Sequence, residues 1–443
     1  MIIFCEWGAE FMKLLQMGDI GPSVQFLQLA LKRAGTFSTN TTGVFGTQTR
    51  DALLVFQRAR GLKADGIAGA QSHKALEPYY LGYALRTIRA GDTLYRISTS
   101  YGSSISAIMT ANPTLQAGNL RVGQKIIVPL NFAVTPTDID WCSETVNYVC
   151  RGLAGRYPFI KLKEIGRSVM GKAIWELSMG GGEARAFYNG AHHANEWITV
   201  PLFLKFCEDL ASAYARNGEI YGYNAREMLS LAKLSIVPCV DIDAIDLVTG
   251  ELKSGAYYEK AADIVGDYPA IPFPSGWKAN IEGVDLNLQY PADWEKAKEI
   301  KYAQGFVSPA PRDYVGSAAL SAPESKAVYE HTLIFNPHLT LSYHTQGEVI
   351  YWKFLDYEPE YSRDIAEALG DVSGYFVEET PYASGFAGYK DWYIQNYNRP
   401  GYTIEAGAGI NPLPITEFDA IYEDNIGILS LTLRIAGRLW GKK

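Results

Sequence analysis

The stretch Asn189-Gly-Ala-His-His-Ala-Asn-Glu-Trp197 determines how the larger part of this chain is interpreted. It follows a strand-like run at residues 186–188 and places His193 and Glu196 in an H-x-x-E spacing. At the start of a helix or in a tight turn, an imidazole and a carboxylate at this spacing can face one point, and both are zinc ligands. The pair alone is weak evidence, because a catalytic zinc site needs a third ligand and an open position for water.

Two further polar residues end apolar runs downstream of this pair. His344 follows Leu339-Thr-Leu-Ser-Tyr343, and Glu405 follows Gly401-Tyr-Thr-Ile404. In α/β sheets, functional residues gather at the carboxyl ends of parallel strands. A lone carboxylate at the end of a buried strand is costly unless it is paired or functional. His344 and Glu405 are therefore candidates to complete the site.

Residues 138–443 have the pattern of one large α/β domain. Apolar runs typical of buried strands alternate with amphipathic stretches typical of helices. This alternation predicts a mixed, mostly parallel sheet. The predicted strands include 236–240, 339–343 and 401–404, and the predicted helices include 199–215, 323–335 and 362–369.

A series of elements in this domain resembles the M14 zinc carboxypeptidase family over nearly all of residues 140–435. The resemblance implies a zinc metallopeptidase with one zinc ion per chain, held by His193, Glu196 and His344. It also implies that Glu405 is the general base and that Asp285 holds the first histidine ligand. The matching elements, in family order, are Ile165-Gly-Arg-Ser-Val-Met-Gly-Lys172, His193-x-x-Glu196-Trp197, Val237-Pro238, Gly283-Val-Asp-Leu-Asn287, His344, Asp391-Trp392 and Thr403-Ile-Glu405.

Some positions depart from the family pattern. Many members have Asn-Arg where this chain has Asn287-Leu288, and that arginine clamps the free carboxylate of the substrate's C-terminus. Leucine cannot make this contact, although Asn287 remains a candidate for substrate binding. The family's oxyanion-stabilising arginine corresponds to Lys278, which supplies charge as a point rather than a fork. Asp241-Ile-Asp243-Ala replaces the family's usual Asn-Pro-Asp-Gly turn.

A glycine-rich loop near residues 381–392 carries candidates for substrate recognition. Tyr382 resembles the family's mobile catalytic tyrosine, with Tyr389 as the alternative, because such a loop can move over a substrate. Lys390 precedes Asp391-Trp392, where family members place the side chain that determines specificity. A cation there favours an acidic substrate group; the alternative is a solvated loop lysine.

An internal repeat marks the first unit, at residues 12–80. Thr42-Gly-Val-Phe-Gly-Thr-Gln-Thr49 is echoed by Asp65-Gly-Ile-Ala-Gly-Ala-Gln-Ser72, and each copy opens a short helix. With a helix that begins near Pro22, these stretches predict a small three-helix bundle. The unit resembles the peptidoglycan-binding-like module found beside wall hydrolases. The alternative is a helical packing module that binds no ligand.

Residues 83–131 predict a second small unit of β-α-α-β order. Gly91-Asp-Thr-Leu94 opens a helix, Ala111-Asn-Pro113 closes the next, and a strand ends at Pro129. The pattern resembles a LysM domain. The resemblance implies binding of glycan that contains N-acetylglucosamine, in a groove beside Asp92, Thr93 and Asn112.

Composition excludes several classes of protein. With 47% hydrophobic and 20% charged residues among 443, the chain is globular and long enough for two or three domains. A net charge of −8 gives no general attraction to nucleic acid, and no apolar run is long enough to span a membrane. The cysteines have no metal-binding or disulfide pattern and are predicted to be reduced and mostly buried: Cys5, Cys142, Cys150, Cys207 and Cys239.

Residues 1–11 are predicted to be an N-terminal extension without the features of a signal peptide, because Glu6 and Glu10 interrupt the apolar stretch. We therefore expect a cytoplasmic protein or one associated with the spore or cell wall, including a role in sporulation.

The combination of modules most resembles the γ-D-glutamyl-L-diamino acid endopeptidases, which cut the stem peptide of peptidoglycan. The expected partners are thus the glycan and the stem peptide. Lysine and diaminopimelate both remain open as the diamino acid. The alternatives are a zinc carboxypeptidase that trims peptide C-termini, a catalytically inactive wall-binding protein, and an enzyme of muropeptide recycling.

Overall fold

A computed structural model describes residues 13–441 of the chain. The described chain divides into two compact units, one that ends at Val134 and one that begins at Thr135. The predicted extension at residues 1–11 and Cys5 lie outside the described residues.

The first unit begins with a bundle of three helices, as the repeat predicts. Pro22 stands at the start of the first helix, where a backbone N–H has no hydrogen-bond partner within the helix. The N–H that proline lacks is therefore not needed at this position. The apolar faces of the three helices are buried against one another. The helices are α1 (Pro22–Arg33), α2 (Thr47–Ala59) and α3 (Ala70–Leu81).

A buried glutamine closes the first copy of the repeat. The amide of Gln28 donates to the hydroxyl of Thr49 at 2.9 Å and to the carbonyl of Val44 at 3.0 Å. Its oxygen accepts the backbone N–H of Gly43 at 3.0 Å. Gly43 has a φ of 72°, which favours glycine because a side chain is strained there.

Gln57 closes the second copy in the same way. Its amide donates to Ser72 at 3.0 Å and to the carbonyl of Ile67 at 3.1 Å, and its oxygen accepts the N–H of Gly66 at 3.0 Å. Gly66 has a φ of 71°, nearly that of its counterpart. The sequence repeat is therefore also a repeat of buried hydrogen bonds.

The rest of the first unit has the predicted β-α-α-β order. Two antiparallel strands pair from Tyr83 to Thr87. The apolar core beneath them consists of Ile88, Leu94, Ile97, Ile108, Leu115, Ile126 and Val128. The elements are β1 (Tyr83–Thr87), α4 (Leu94–Ser100), α5 (Ile105–Ala111) and β2 (Lys125–Pro129).

An eight-stranded mixed sheet forms the centre of the second unit. The strands of this unit are β3 (Lys161–Arg167), β4 (Ala173–Met179), β5 (Ala184–Gly190), β6 (Glu219–Ile220), β7 (Tyr223–Asn224), β8 (Ala232–Val237), β9 (Leu339–His344), β10 (Val349–Tyr351), β11 (Phe376–Glu378) and β12 (Gly401–Glu405). Of these, β6 and β7 form a separate hairpin. The order in the large sheet is β11-β10-β12-β9-β5-β8-β4-β3. Its central strands β12, β9, β5 and β8 run parallel, and antiparallel pairs flank them.

Helices connect the strands of this unit, so the predicted α/β class is confirmed. They are α6 (Ser143–Arg156), α7 (Thr199–Arg216), α8 (Ala225–Leu231), α9 (Ala244–Val248), α10 (Ala256–Gly266), α11 (Trp294–Ala303), α12 (Pro323–Phe335), α13 (Ser362–Ser373), α14 (Tyr389–Tyr397) and α15 (Phe418–Trp440). The prediction of a strand at 236–240 was wrong in its bounds. That strand ends at Val237, because Pro238 has no N–H to donate to the ladder.

Among residues 13–441, no helix combines the length and the apolar character that crossing a membrane requires. The four described cysteines are buried, as predicted: Cys142, Cys150, Cys207 and Cys239.

Candidate active site

The H-x-x-E pair lies where β5 leaves the sheet. The strand ends at Gly190, where a Cβ would stand 2.7 Å from the ring of Phe203, so only glycine fits without a shift. Ala191 then takes a φ of 51°, which turns the chain. His193 precedes a short 3₁₀ helix, Ala194–Glu196, and this turn directs the side chains of His193 and Glu196 to the same side.

The other two candidates lie on neighbouring parallel strands. His344 is the last residue of β9 and Glu405 is the last of β12, and the two are paired in register. Their spacing in the sequence is long, but the parallel strands bring both to one edge of the sheet. The structure thus brings together His193, Glu196, His344 and Glu405.

Three of these side chains form a pocket of metal-ligand atoms. Nδ1 of His193 lies 2.9 Å from Oε1 of Glu196, and Nδ1 of His344 lies 2.8 Å from Oε2 of the same Glu196. The two Nδ1 atoms are 3.1 Å apart. Among the described residues, this is the one group of histidine, cysteine and acidic side chains whose geometry fits a metal ion. Two imidazoles and one carboxylate are a donor set typical of catalytic zinc.

The electrostatics of the group also fit a cation. Burial lowers the pKa of His193, but Glu196 and Asp285 beside it raise the pKa to about 9. Burial acts to raise the pKa of Glu196, yet His193, Lys278 and His344 hold it well below its usual range. The carboxylates of Glu196 and Asp285 therefore favour a positive charge beside them. A zinc ion bound at the three ligands would supply such a charge.

Asp285 orients the first histidine. Its Oδ1 lies 3.1 Å from Nε2 of His193. The other ring nitrogen of His193, Nδ1, faces Glu196 and His344. The carboxylate of Asp285 also accepts the backbone N–H groups of Asn287 and Asp313, each at 3.1 Å. Although burial acts against the charged form, the His193 contact lowers the pKa of Asp285. A carboxylate in this position fixes the tautomer of a histidine ligand.

Lys278 and Glu405 complete the polar lining near the ligands. The ammonium of Lys278 lies 3.1 Å from Oε1 of Glu196, and the carbonyl of Lys278 accepts the N–H of Ala194 at 3.2 Å. Burial raises the pKa of Glu405, and the negative charge of Glu196 adds to this, although His344 and Lys278 act in the opposite direction. A carboxylate with a raised pKa is suited to accept and return a proton near neutral pH.

Comparison with known proteins agrees with this geometry. The model of the zinc carboxypeptidase family, peptidase M14, matches residues 146–426. The chain belongs to this family. It is therefore a zinc metallopeptidase by family, and its first unit contains a peptidoglycan binding domain at residues 20–76 and a LysM domain at residues 87–129.

Two relatives of this M14 chain are bacterial. Gamma-D-glutamyl-L-diamino acid endopeptidase 1 of Lysinibacillus sphaericus is 43% identical over 273 residues, which covers 61% of this chain and 67% of the relative. The protein YqgT of Bacillus subtilis (strain 168) is 38% identical over 276 residues, covering 62% and 72%. The crystal structure of carboxypeptidase A from Helicoverpa armigera has the same fold, with a TM-score of 0.52 at 18% identity, covering 69% of this chain and 75% of that one.

The ligand group of this M14 domain opens into a cavity of about 220 Å³. Sequence reasoning missed several charged residues in its wall, because one lies on helix α11, whose pattern marks no function, and two lie on a loop that no strand or helix pattern marks. The missed charged residues are Lys301, Arg312 and Asp313.

Leu288 lies in the wall of the cavity, directly after Asn287. It is buried and apolar, so this position provides no cation for a substrate carboxylate. Oδ1 of Asn287 accepts the backbone N–H of Tyr389 at 3.0 Å, which fixes the side chain at the cavity wall.

The two tyrosine candidates differ sharply in exposure. Tyr382 is 64% exposed, packs edge to face on Phe386, and lines an adjacent cavity that shares Thr380 with the one at the ligands. Tyr389, the alternative, is fully buried and lies 3.2 Å from the hydroxyl of Thr332. The alternative was therefore wrong, because a ring packed in the core cannot move over a substrate.

Lys390 lines the cavity but is not a solvated loop lysine, so that alternative was wrong. Its side chain is buried, and its ammonium lies 2.6 Å from Oδ1 of Asp391 and 2.7 Å from the carbonyl of Lys353. The charge of Lys390 is therefore balanced within the protein.

The remaining predicted residues lie in the LysM domain. Thr93 accepts the N–H of Arg96 as a helix cap, and the carboxylate of Asp92 binds Arg86 and the N–H of Arg89. Asn112 is buried and does not face solvent. Its side-chain amide donates to the carbonyls of Ile108 in α5 and Ile127 in β2, and its oxygen accepts the N–H of Ile127.

Proposed function

We propose that this protein hydrolyses the γ-D-glutamyl–diamino acid bond in the stem peptides of peptidoglycan. The observation that carries the proposal is Leu288, which stands in the cavity wall where many family members have the arginine that binds a free C-terminal carboxylate. A site with this departure favours cleavage within a peptide. The name of the relative from Lysinibacillus sphaericus, at 43% identity, supports the same bond.

The proposed chemistry assigns a role to each group at the ligands. His193, Glu196 and His344 hold one zinc ion. Bound zinc supplies a water of lowered pKa and a Lewis acid for the scissile carbonyl. Glu405 takes the proton of the attacking water and passes it to the leaving amine, and its raised pKa suits both transfers.

The surrounding residues have supporting roles. Asp285 keeps His193 in the tautomer that leaves Nδ1 free to bind metal. Lys278 supplies positive charge for the oxyanion. Asn287 and Lys390 line the cavity and contribute to the shape and polarity of the substrate pocket, and the exposed Tyr382 lies on a neighbouring loop from which it can contact the substrate.

The first unit is proposed to hold the enzyme on its substrate in the cell wall or spore. Asp92 and Thr93 line the glycan groove, and Asn112 shapes the groove by fixing the connection between helix and strand. We propose the boundaries 1–11 for an extension, 12–80 and 83–131 for the two binding domains, and 138–443 for the peptidase. The family models match within the last three ranges.

Mass spectrometry of the products from one defined peptide tests the proposal. The substrate is L-Ala-γ-D-Glu-X-D-Ala, in which X is lysine in one preparation and diaminopimelate in the other. We expect L-Ala-D-Glu and X-D-Ala from at least one preparation. Release of D-Ala alone would favour a carboxypeptidase, and zinc-loaded protein that leaves both peptides intact would favour an inactive binding protein.

A further inference from the structure

The cavity at the ligands is lined by charged side chains of both signs. Among the described residues, four cations and five carboxylates line it. A bound divalent cation makes the balance positive, which favours an anionic group on the substrate. The four cations are Lys278, Lys301, Arg312 and Lys390.

Two of these cations are fully engaged by the protein. Lys390 is buried and bound to Asp391 and to a backbone carbonyl. Lys278 pairs with Glu196, which is itself a ligand. Neither Lys390 nor Lys278 is therefore available to bind a carboxylate of the substrate before the reaction begins.

Arg312 and Lys301 share a single carboxylate. Asp313 pairs with the ammonium of Lys301 at 2.6 Å and with Nε of Arg312 at 2.5 Å. The nearby carboxylates of Asp285 and Glu196 are engaged by His193 and Lys278, so the two cations on this wall share only the Asp313 anion and one positive charge is left. The side chain of Lys301 is only 10% exposed, whereas that of Arg312 is 45% exposed. The excess charge is therefore accessible at Arg312.

The guanidinium of Arg312 also retains unused donors. Its Nε is bonded to Asp313, and among residues 13–441 neither terminal nitrogen has a hydrogen-bond partner. Two parallel N–H donors of a guanidinium match the two oxygens of a carboxylate. Arg312 thus offers a fork of donors from a different segment of the cavity wall, whereas Leu288 offers none.

Backbone contacts place Arg312 beside the oxyanion lysine. The carbonyl of Pro311 accepts the N–H groups of Lys278 and Ala279, at 2.8 and 2.9 Å. On its other side, Asp313 has a φ of 63° and donates its N–H to Asp285 at 3.1 Å. Such a left-handed conformation is strained for a residue other than glycine and persists only where the surroundings hold it. The loop thus positions Arg312 relative to the ligand group.

We propose that Arg312 binds the free α-carboxylate of the D-glutamyl residue whose γ-carboxyl group forms the scissile bond. This inference rests on the proposed function. In a γ-glutamyl peptide the α-carboxylate is separated from the scissile carbonyl by two methylene groups and the α-carbon. This three-atom connection lets the carboxylate reach a cation that lies beside the oxyanion lysine in the same cavity. The enzyme then prefers D-glutamate to its α-amide, which has the same shape but no charge.

Paired substrates test this inference. The kcat/KM of the zinc-loaded full chain is measured on L-Ala-γ-D-Glu-L-Lys and on the same peptide with the α-carboxylate converted to a carboxamide, and on the matching diaminopimelate pair. We expect the wild type to prefer the acid roughly 10- to 100-fold, the range for a charge-assisted hydrogen bond. Arg312→Met brings the acid-to-amide ratio close to one, and Arg312→Lys retains part of the preference.

The ratio does not depend on how much of a variant is folded, because both substrates meet the same preparation. Arg363→Met is the matched control, since Arg363 is exposed on α13, and it keeps the wild-type ratio. Equal cleavage of acid and amide by the wild type, or an unchanged ratio in Arg312→Met, would overturn the inference while the proposed function stands. Failure of the zinc-loaded wild type to cleave any of the four peptides would overturn both.

Discussion

The two units of this chain build their key contacts over very different distances in sequence. In the first unit, Gln57 reaches Gly66 and Ser72, which are nine and fifteen residues away. In the second, Glu196 meets His344 across 148 residues, and His193 meets Asp285 across 92. Local contacts leave a repeat that can be found in the sequence. The contact of Glu196 with His344 depends on parallel strands that deliver separate segments to one edge of the sheet, and Asp285 reaches His193 from the start of the short 3₁₀ helix Leu286–Leu288.

The same difference determines what a mutation in each unit is expected to change. The first unit holds its shape through buried side-chain amides that are independent of the ligand group. The second unit concentrates charged groups whose positions depend on one another. We expect changes in the second unit to have large effects on catalysis, and changes in the first to affect attachment and stability alone.

Apart from loss of the proton acceptor Glu405, the largest of these effects is expected from Asp285→Asn. An asparagine cannot hold His193 and accept both backbone N–H groups as the carboxylate does. Loss of such a partner costs roughly 10- to 100-fold in metal affinity or activity. Zinc affinity is measured by chelator competition, together with kcat/KM on the free stem peptide. The exposed Asp371→Asn on α13 serves as the control, and wild-type zinc affinity in Asp285→Asn would contradict the role given to this carboxylate.

Gln57→Leu is expected to change stability and attachment but not catalysis. It leaves the buried N–H of Gly66 and the groups at Ile67 and Ser72 without their partner, which destabilises the first unit by about 3 kcal/mol. Unfolding of the unit is followed by hydrogen exchange, and attachment is followed by sedimentation with purified cell walls.

Gln28→Leu is the matched change in the other copy of the repeat, and a similar loss is expected. For both variants, binding to walls weakens while kcat/KM on the free stem peptide stays at the wild-type value. If turnover of the free peptide falls together with wall binding, the claim that the first unit does not affect catalysis is wrong.

The smallest effect is a pH dependence in the first unit. Burial lowers the pKa of His73 from 6.5 to about 4. Between these values the unfolded chain takes up a proton that the folded unit does not, so stability falls as the pH falls from 6.5 to about 4. His73→Gln should weaken this dependence, as measured by hydrogen exchange in α3 at pH 7 and pH 5. An identical pH dependence in both proteins would rule out His73 as its source.

Much of this architecture follows from sequence because its signals are local. The Gly-rich repeat and Pro22 predicted the helices of the first unit, and the turn beginning at Gly91 contributed to the predicted LysM order. In the second unit, the order of motifs placed His193, Glu196, His344 and Glu405 in one family pattern, even though their contacts are distant.

The rest depends on contacts that no local pattern encodes. Lys390 looked like a specificity cation until its ion pair with Asp391 and its burial were known. Tyr389 differs from Tyr382 in burial, which depends on how a whole loop packs. Arg312 lies on an irregular loop, and its relation to Lys278 arises from backbone hydrogen bonds between segments far apart in sequence.

The central claim is that a zinc ion at His193, Glu196 and His344 works with Glu405 to cleave the γ-D-glutamyl bond. Glu405→Gln tests it most directly, because the change removes the proton acceptor and leaves the three ligands intact. Zinc content by elemental analysis and products by mass spectrometry are measured for both proteins on L-Ala-γ-D-Glu-X-D-Ala. The account predicts one zinc ion per chain in both and cleavage between D-Glu and X by the wild type alone. Unchanged turnover in Glu405→Gln would contradict it.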